Sequence, residues 1–350
     1  MTATLDLPEN LTGVSKEVAD YTTVRTTVGV YPITAPLARV TGDDRLALLD
    51  QFLSKASDFV EPETTREALA LNDDGTPFAL VLHLELGEES WLLPRTPMTT
   101  AQFEEYLQGL DTSGDVNVEV NPQGWGATAF EGPQAWAVAA DFVDFDISGV
   151  TLHSITTVTV PGTDEPAYLA RVGTTGEYGY LLLSQAPEQV YAAVLTAAVA
   201  QDGGPVDARG LARVQAEAGV PYYHQGATGL SVVEADLSWT ISWDRIGEFR
   251  GSEHLSKPTA GSAKISPLVA PAGAGVGVGD AVLAGDVRVG TVIWRTPSAN
   301  PDEELLFALL DSPFWASGLA LSAQDGDRVQ VLRTVSLPRV IARSSHTRIG

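Results

Sequence analysis

Between Gly176 and Leu237 three short segments follow one another in a fixed order, and they constrain the fold more than any other stretch. Gly176-Glu177-Tyr178-Gly179-Tyr180 leads into the apolar run Leu181-Leu182-Leu183. Asp207-Ala208-Arg209 then opens a helix, with Asp207 as a good N-cap, Gly219 as its C-terminal stop and Pro221 beyond. Last comes Glu234-Ala235-Asp236-Leu237-Ser238-Trp239. A glycine turn into an apolar run, followed by a capped helix, requires a chain that mixes strands and helices.

The rest of the chain extends that reading. Residues 28–31 and 38–40 read as short strands, and Thr41 is expected to cap a helix whose apolar face is Leu46, Leu49, Phe52 and Leu53. Asn72-Asp73-Asp74-Gly75 is a turn signal before a buried strand over 78–86. Thr99 with Gln102 three residues on has the spacing of a capping box, ahead of Phe103, Leu107 and Leu110 on one face. Further helices are predicted over 133–140 and 187–200, and strands over 150–160 and 167–172. This irregular alternation predicts the α+β class. Residues 257–279, rich in Gly, Pro, Ala and Ser, are expected to be a linker. Short β-like runs at 281–283, 288–294, 305–310, 328–331 and 339–343 then predict a small all-β barrel at the C-terminus.

With 350 residues the chain has room for two or three domains. Its 21 basic and 45 acidic residues give a formal charge of −24, a field that repels nucleic acid and anionic membranes as partners. A local basic pocket for an anionic ligand remains compatible with it. The absence of cysteine excludes disulfides, thiolate metal sites and a cysteine nucleophile. The histidines, His83, His153, His224, His254 and His346, are scattered without metal-ligand spacing, so no metal is expected. The N-terminal stretch has no basic n-region and no long apolar segment, so no signal peptide is expected; no run reaches the ~18 apolar residues of a membrane span, and a cytoplasmic location is expected. The glycines at 273, 275, 277 and 279 fail the spacing of a phosphate loop, and no G-x-S-x-G elbow occurs.

The three segments between Gly176 and Leu237 resemble the folate-binding half of the glycine-cleavage T-protein (aminomethyltransferase) superfamily. Degenerate matches extend the resemblance from about Val28 to Arg343: Val28 to Ala35, Arg39 to Asp44, Phe130-Glu131-Gly132-Pro133, Phe249 to Leu255, and Val276 to Asp280 at the approach to the barrel. The resemblance implies a T-protein-like multidomain fold around a central cavity. Residues 1–256 would form two intertwined α+β subdomains meeting near 115–130, followed by the linker at 257–279 and the barrel at 280–350.

It also implies tetrahydrofolate as cofactor and a small-molecule substrate, with no protein partner indicated. The family's reactive-site aspartates fall on Ala79 and Leu80, and its pterin-clamping tyrosine and glutamate on Thr174 and Leu181. Ala79 and Leu80 can do no acid–base work. His83 and Glu85, which share the Ala79 strand face by alternation, become the catalytic candidates; the other reading is a strand end reaching solvent. Cofactor-binding candidates are Glu177 and Tyr178 in the turn, Arg209 at the helix start, Tyr223 after that helix, and Glu234. Glu177 is also readable as a holder of the turn, and Arg209 as a structural partner of Glu234. His224 and Gln225 are candidates to face a substrate. Two functions follow: a divergent folate-dependent one-carbon transferase or demethylase, or a fold kept without folate for another small-molecule reaction or for binding alone. A cysteine-free chain does not match the iron–sulfur-repair branch, and the missing aspartate argues against a standard glycine-cleavage role.

Overall fold

The computed structural model describes residues 16–57, 60–220, 229–325 and 328–349. Two sheets face each other in the first two thirds. One is five-stranded, in the order β3 (Thr64–Leu71), β4 (Pro77–Glu85), β5 (Glu89–Pro94), β2 (Ala38–Thr41) and β6 (Asn117–Val120). The other is six-stranded, in the order β11 (Gly204–Pro205), β1 (Gly29–Pro32), β7 (Gly126–Glu131), β10 (Gly179–Ser184), β9 (Pro166–Ala170) and β8 (Ile155–Thr159). All pairings within both are antiparallel except β1 with β11. The helices are α1 (Lys16–Thr26), α2 (Arg45–Asp50), α3 (Thr100–Gln108), α4 (Ala135–Ala140), α5 (Pro187–Val199) and α6 (Ala208–Ala218).

The apolar run at 181–183 is explained by burial on both faces. Tyr180 and Leu182 pack under α4 and α5 with Phe130, Val138, Val190 and Val194. Leu181 and Leu183 point the other way, into a core shared with Leu82, Leu84 and Leu93 of the facing sheet. A strand covered on both sides has no polar face to alternate with. In β4, Ala79 and Val81 meet α2 and α3 through Leu48, Leu49, Phe103 and Leu107, whereas Leu82 and Leu84 look into the inter-sheet core.

Local capping chemistry sets the ends of α3 and α6. Thr99 and Gln102 form a reciprocal capping box at α3. At α6 the Asp207 carboxylate accepts from the backbone N–H groups of Arg209 and Gly210, and Gly219 ends the helix at φ 99°, a left-handed conformation suited to glycine. Strands β12 (Lys264–Pro271), β13 (Ala281–Ala284), β14 (Val287–Pro297), β15 (Glu303–Leu310), β16 (Ala320–Asp325) and β17 (Arg328–Thr334) close into a barrel. Leu268, Val292, Leu306, Leu321 and Leu332 fill it. Its outer face, through Ile265, Val269, Leu305 and Phe307, rests on Ala216 of α6.

Four expectations need correction. Residues 264–271 are not linker but the first barrel strand, because Ile265, Leu268 and Val269 bury against β15 and α6 despite the prolines around them. Residues 339–343 form no strand, and the barrel instead uses β16, which pairs with β13 and β17. Thr41 ends β2; α2 starts after Asp44, whose side chain makes no cap hydrogen bond. No helix was expected at 16–26, yet α1 lies there against α6. Among the described residues no helix is long and apolar enough to cross a membrane.

Candidate functional site

A cavity of about 610 Å³ opens where the end of β1, the residues following β5, the 173–175 turn and one face of α6 converge. Helix α6 contributes Ala208, Leu211, Ala212 and Gln215, the one-sided spacing of a helix face. The walls are mainly apolar, and a hydrogen-bonded polar cluster stands behind Tyr31 and Thr174.

There the Glu131 carboxylate, only 1% exposed, accepts five hydrogen bonds. The Tyr31 hydroxyl donates at 2.5 Å and the Thr174 hydroxyl at 2.9 Å to one oxygen. Thr174 N–H, Thr175 N–H and the Thr175 hydroxyl donate at 2.7, 2.9 and 2.7 Å to the other. Gln215 Nε2 in turn donates to Thr174 Oγ1 at 2.8 Å. Tyr31, Thr174 and Gln215 all line the cavity, whereas Glu131 stands behind them. The close approach needs Gly173, where a Cβ would fall 2.8 Å from the Glu131 carboxylate and 3.0 Å from Gly179 Cα. Burial, then the adjacent Glu131 charge and hydrogen bond, push the Tyr31 hydroxyl well above its ordinary value of 10.0, so it stays protonated. Arg95 is the cation in the lining, and its Nε lies 3.4 Å from Glu67.

The sequence-derived candidates fall mostly elsewhere. His83 and Glu85 are buried, but on the α2 side of β4 rather than the cavity side. Arg45 of α2 donates to Glu85 at 2.8 Å, Ser90 donates to its other oxygen, and His83 Nε2 sits 3.3 Å away. None of these side chains lines the cavity, and Arg45 carries the cluster to a partly exposed edge. Glu177 holds the turn: it accepts from Arg25 at 3.2 Å and from Ser344 N–H and hydroxyl at 2.9 and 2.6 Å. Tyr178 donates its hydroxyl to the Thr347 carbonyl at 2.5 Å. Arg209 is exposed and off the lining, because it sits one residue from Ala208 and so a third of a turn round α6. Glu234 bonds Ser231 within its own turn rather than Arg209. Tyr223, His224 and Gln225 lie outside the described residues.

At the family-matched positions, Ala79 and Leu80 are sealed in two separate apolar clusters. Leu181 shares a row across the sheet with Ala129 and Tyr31, yet it is closed inside the inter-sheet core. Of these four, Thr174 alone lines the cavity. Tyr31, Arg95, Glu131 and Gln215 were not singled out from the sequence. The signal for Glu131 was present: it continues the inward register of Ala127 and Ala129, where a charge in an apolar strand demands a reason.

Two facing sheets beside one cavity, with a closed barrel packed on α6, make a T-protein-like architecture. A model of the GCVT N-terminal domain matches residues 11–245. An aminomethyltransferase of Mycobacterium avium is 27% identical over 326 residues, spanning 90% of this chain and 84% of that protein. One from Streptomyces avermitilis is 26% identical over 289 residues, spanning 80% and 77%. The crystal structure of glycine cleavage system aminomethyltransferase T from Bartonella henselae superposes with a TM-score of 0.76 over 93% of this chain and 90% of that one, at 18% identity. The chain belongs to the GCVT N-terminal domain family, as a divergent relative of the T-protein.

Proposed function

We propose that this chain is a one-carbon-group transferase or demethylase that binds tetrahydrofolate in the central cavity and acts on a small molecule there. The observation that carries the reading is the Gln215 carboxamide at the wall of a largely apolar, cofactor-sized space. The pterin ring presents a lactam, one N–H donor beside one carbonyl acceptor. A primary carboxamide matches that edge with one acceptor and one donor. Gln215 uses one Nε2 proton on Thr174, which leaves the second proton and Oε1 for a ligand. Ile33, Leu93 and Leu211 offer apolar contact to the ring faces. On these residues the heterocycle fits, held by an amide where the family uses a carboxylate.

Tetrahydrofolate, when bound, supplies a nitrogen that carries the one-carbon unit. The chain's own part is to orient the ring through Gln215, to exclude water with the apolar walls, and to keep Gln215 in place through Thr174 and Glu131.

A second reading, the fold retained without folate, is favoured by one observation. The carboxylate in the lining is Asp207, and it is committed to capping α6. Calorimetric titration with 5-formyl-tetrahydrofolate separates the two. Binding to the wild type, weakened about tenfold or more in Gln215→Ala by the loss of a two-point pairing, is the expected result. No binding to the wild type overturns the folate reading in favour of the second. Binding indifferent to Gln215→Ala overturns the role given to that side chain.

A further inference from the structure

A second cleft, of about 310 Å³, lies between the 72–73 turn, α3 and Arg250, and it shares no lining residue with the central cavity. Its aromatic part is a stack. The Phe78 and Tyr106 rings lie 3.9 Å apart at 9°, and the Arg250 guanidinium carbon sits 4.5 Å from the centre of the Tyr106 ring. Arg250 Nη1 also donates to the Tyr106 carbonyl at 3.0 Å, in the last turn of α3, where a cation is favoured. These contacts hold the guanidinium in the cleft wall, with its side chain 17% exposed. Its carboxylate neighbour is a poor match for it. Asp73 lies 3.5 Å from Nε, beyond good hydrogen-bond length, and its side chain is 95% exposed.

We infer that this cleft binds an apolar α-amino acid as its zwitterion, with the carboxylate on Arg250, the ammonium on Asp73 and Glu105, and the side chain against Phe78. The inference rests on neither folate nor the central cavity. A guanidinium held in place is pre-set for a carboxylate, which it meets with parallel N–H bonds. Glu105 is exposed, and among the described residues no cation pairs with it. Two neutral groups complete the lining. Gln102 Oε1 accepts from the Thr99 N–H and hydroxyl, which leaves Nε2 as a donor. Asn72 Nδ2 donates to the Thr76 hydroxyl, which leaves Oδ1 as an acceptor. A simple carboxylate would gain Arg250 but meet two like charges, and a simple amine would meet the guanidinium. A ligand that carries both charges side by side matches all three. Arg250 also ends α3, but a purely structural cap would not tell an amino acid from the same molecule lacking one of its charges.

The test titrates three probes calorimetrically into the full chain at neutral pH: L-phenylalanine, phenethylammonium, which lacks the carboxylate, and 3-phenylpropanoate, which lacks the ammonium. L-Phenylalanine is expected to bind about tenfold or more tighter than either analogue, the scale of a hydrogen bond to a charged group. Glu105→Gln is expected to bring L-phenylalanine down to the level of 3-phenylpropanoate, and Arg250→Gln to bring it down to that of phenethylammonium. If Arg250→Gln loses helix content by circular dichroism, the exposed Glu105→Gln carries the test alone. Gln215→Ala, in the central cavity, should leave L-phenylalanine binding as it is. Undetectable binding of L-phenylalanine, equal or tighter binding of an analogue, or a preference that survives Glu105→Gln overturns the inference. Binding lost in Gln215→Ala but kept in Glu105→Gln overturns it as well, because the amino acid would then sit in the central cavity.

Discussion

His83 and Glu85 show how a residue pair that looks catalytic in sequence can be committed to stability. Burial pushes the Glu85 carboxyl up, but its contacts with His83, Arg45 and Ser90 outweigh that and hold it at about 2, below its usual 4.5. Burial, against a weaker opposing pull from Glu85, keeps the His83 imidazole below its usual 6.5. Both shifts act in one direction. The unfolded chain takes up a proton at His83 below 6.5 that the folded chain resists, so this contribution is lost as pH falls below that value. The Glu85 contribution is full above 4.5 and is lost as pH falls toward about 2. Urea midpoints at pH 7, 5.5 and 4 should therefore fall in two stages. In His83→Gln the first stage should flatten while the second remains; an unchanged slope between pH 7 and 5.5 would refute the assignment. Alternation correctly placed these two residues on the Ala79 face of β4. It carries no sign for which face meets the cavity, and that was decided by the helices packed on α2's side. Tyr31 and Glu131 were harder to see, since a hydroxyl and a carboxylate 100 positions apart meet only through the pairing of β1 with β7.

At the scale of elements, what was legible in the sequence was whatever is decided locally. The capping box at Thr99, the Asp207 cap, the Gly219 stop and the proline-opened α5 all depend on side chains within a turn of one another. Strand β12 was not legible, because its partners β15 and β17 lie far along the chain and Pro267 at its centre lacks an N–H; its carbonyl accepts from Val335 instead. The contact of α1 with α6 was equally hidden, and Gly210 is its clearest trace. A Cβ at Gly210 would fall 2.4 Å from Asp20 Cβ, 3.2 Å from the Tyr21 nitrogen and 3.3 Å from the Glu17 carbonyl. The same interface holds Tyr21 to Glu217 at 2.6 Å, Asp207 N–H to Asp20 at 2.9 Å and Arg25 to the Val214 carbonyl at 3.1 Å. In an open helix Gly→Ala gains about 1 kcal/mol of propensity. Here the new carbon meets α1 near its backbone, which cannot step aside as a flexible chain end would. Gly210→Ala should therefore destabilise by about 1–3 kcal/mol in denaturant unfolding, the usual scale of overpacking. A stabilised variant would mean that α1 yields.

Across the whole molecule, the α+β class and the terminal barrel were legible in the pattern of strands and turns, whereas the way the chain returns to its own middle was not. After the barrel, residues 342–347 come back to the 174–178 turn. Glu177 accepts from Ser344 N–H and hydroxyl and from Arg343 N–H at 3.2 Å, and the Ser344 oxygen accepts from Tyr178 N–H at 2.8 Å. Tyr178 reaches on to Thr347, while Arg25 of α1 closes the other side of Glu177. The same turn holds Thr174 and Thr175 on Glu131, so the end of the chain braces one wall of the cavity from behind. Shortening the chain after Ile341 removes the three Ser344 and Arg343 donors and leaves Glu177 with Arg25 as its main partner. Each buried polar group left unpaired costs about 1–3 kcal/mol. The shortened protein should lose amide hydrogen-exchange protection at 173–180 and melt at a lower temperature, with β12 to β17 still protected, because the barrel closes upon itself between residues 264 and 334. It should also bind cavity ligands more weakly, since Thr174 and Gln215 share the wall that has loosened. Undiminished protection at 173–180 after shortening would show that Glu131 and Arg25 suffice to hold the turn, and the brace would have no part in shaping the site.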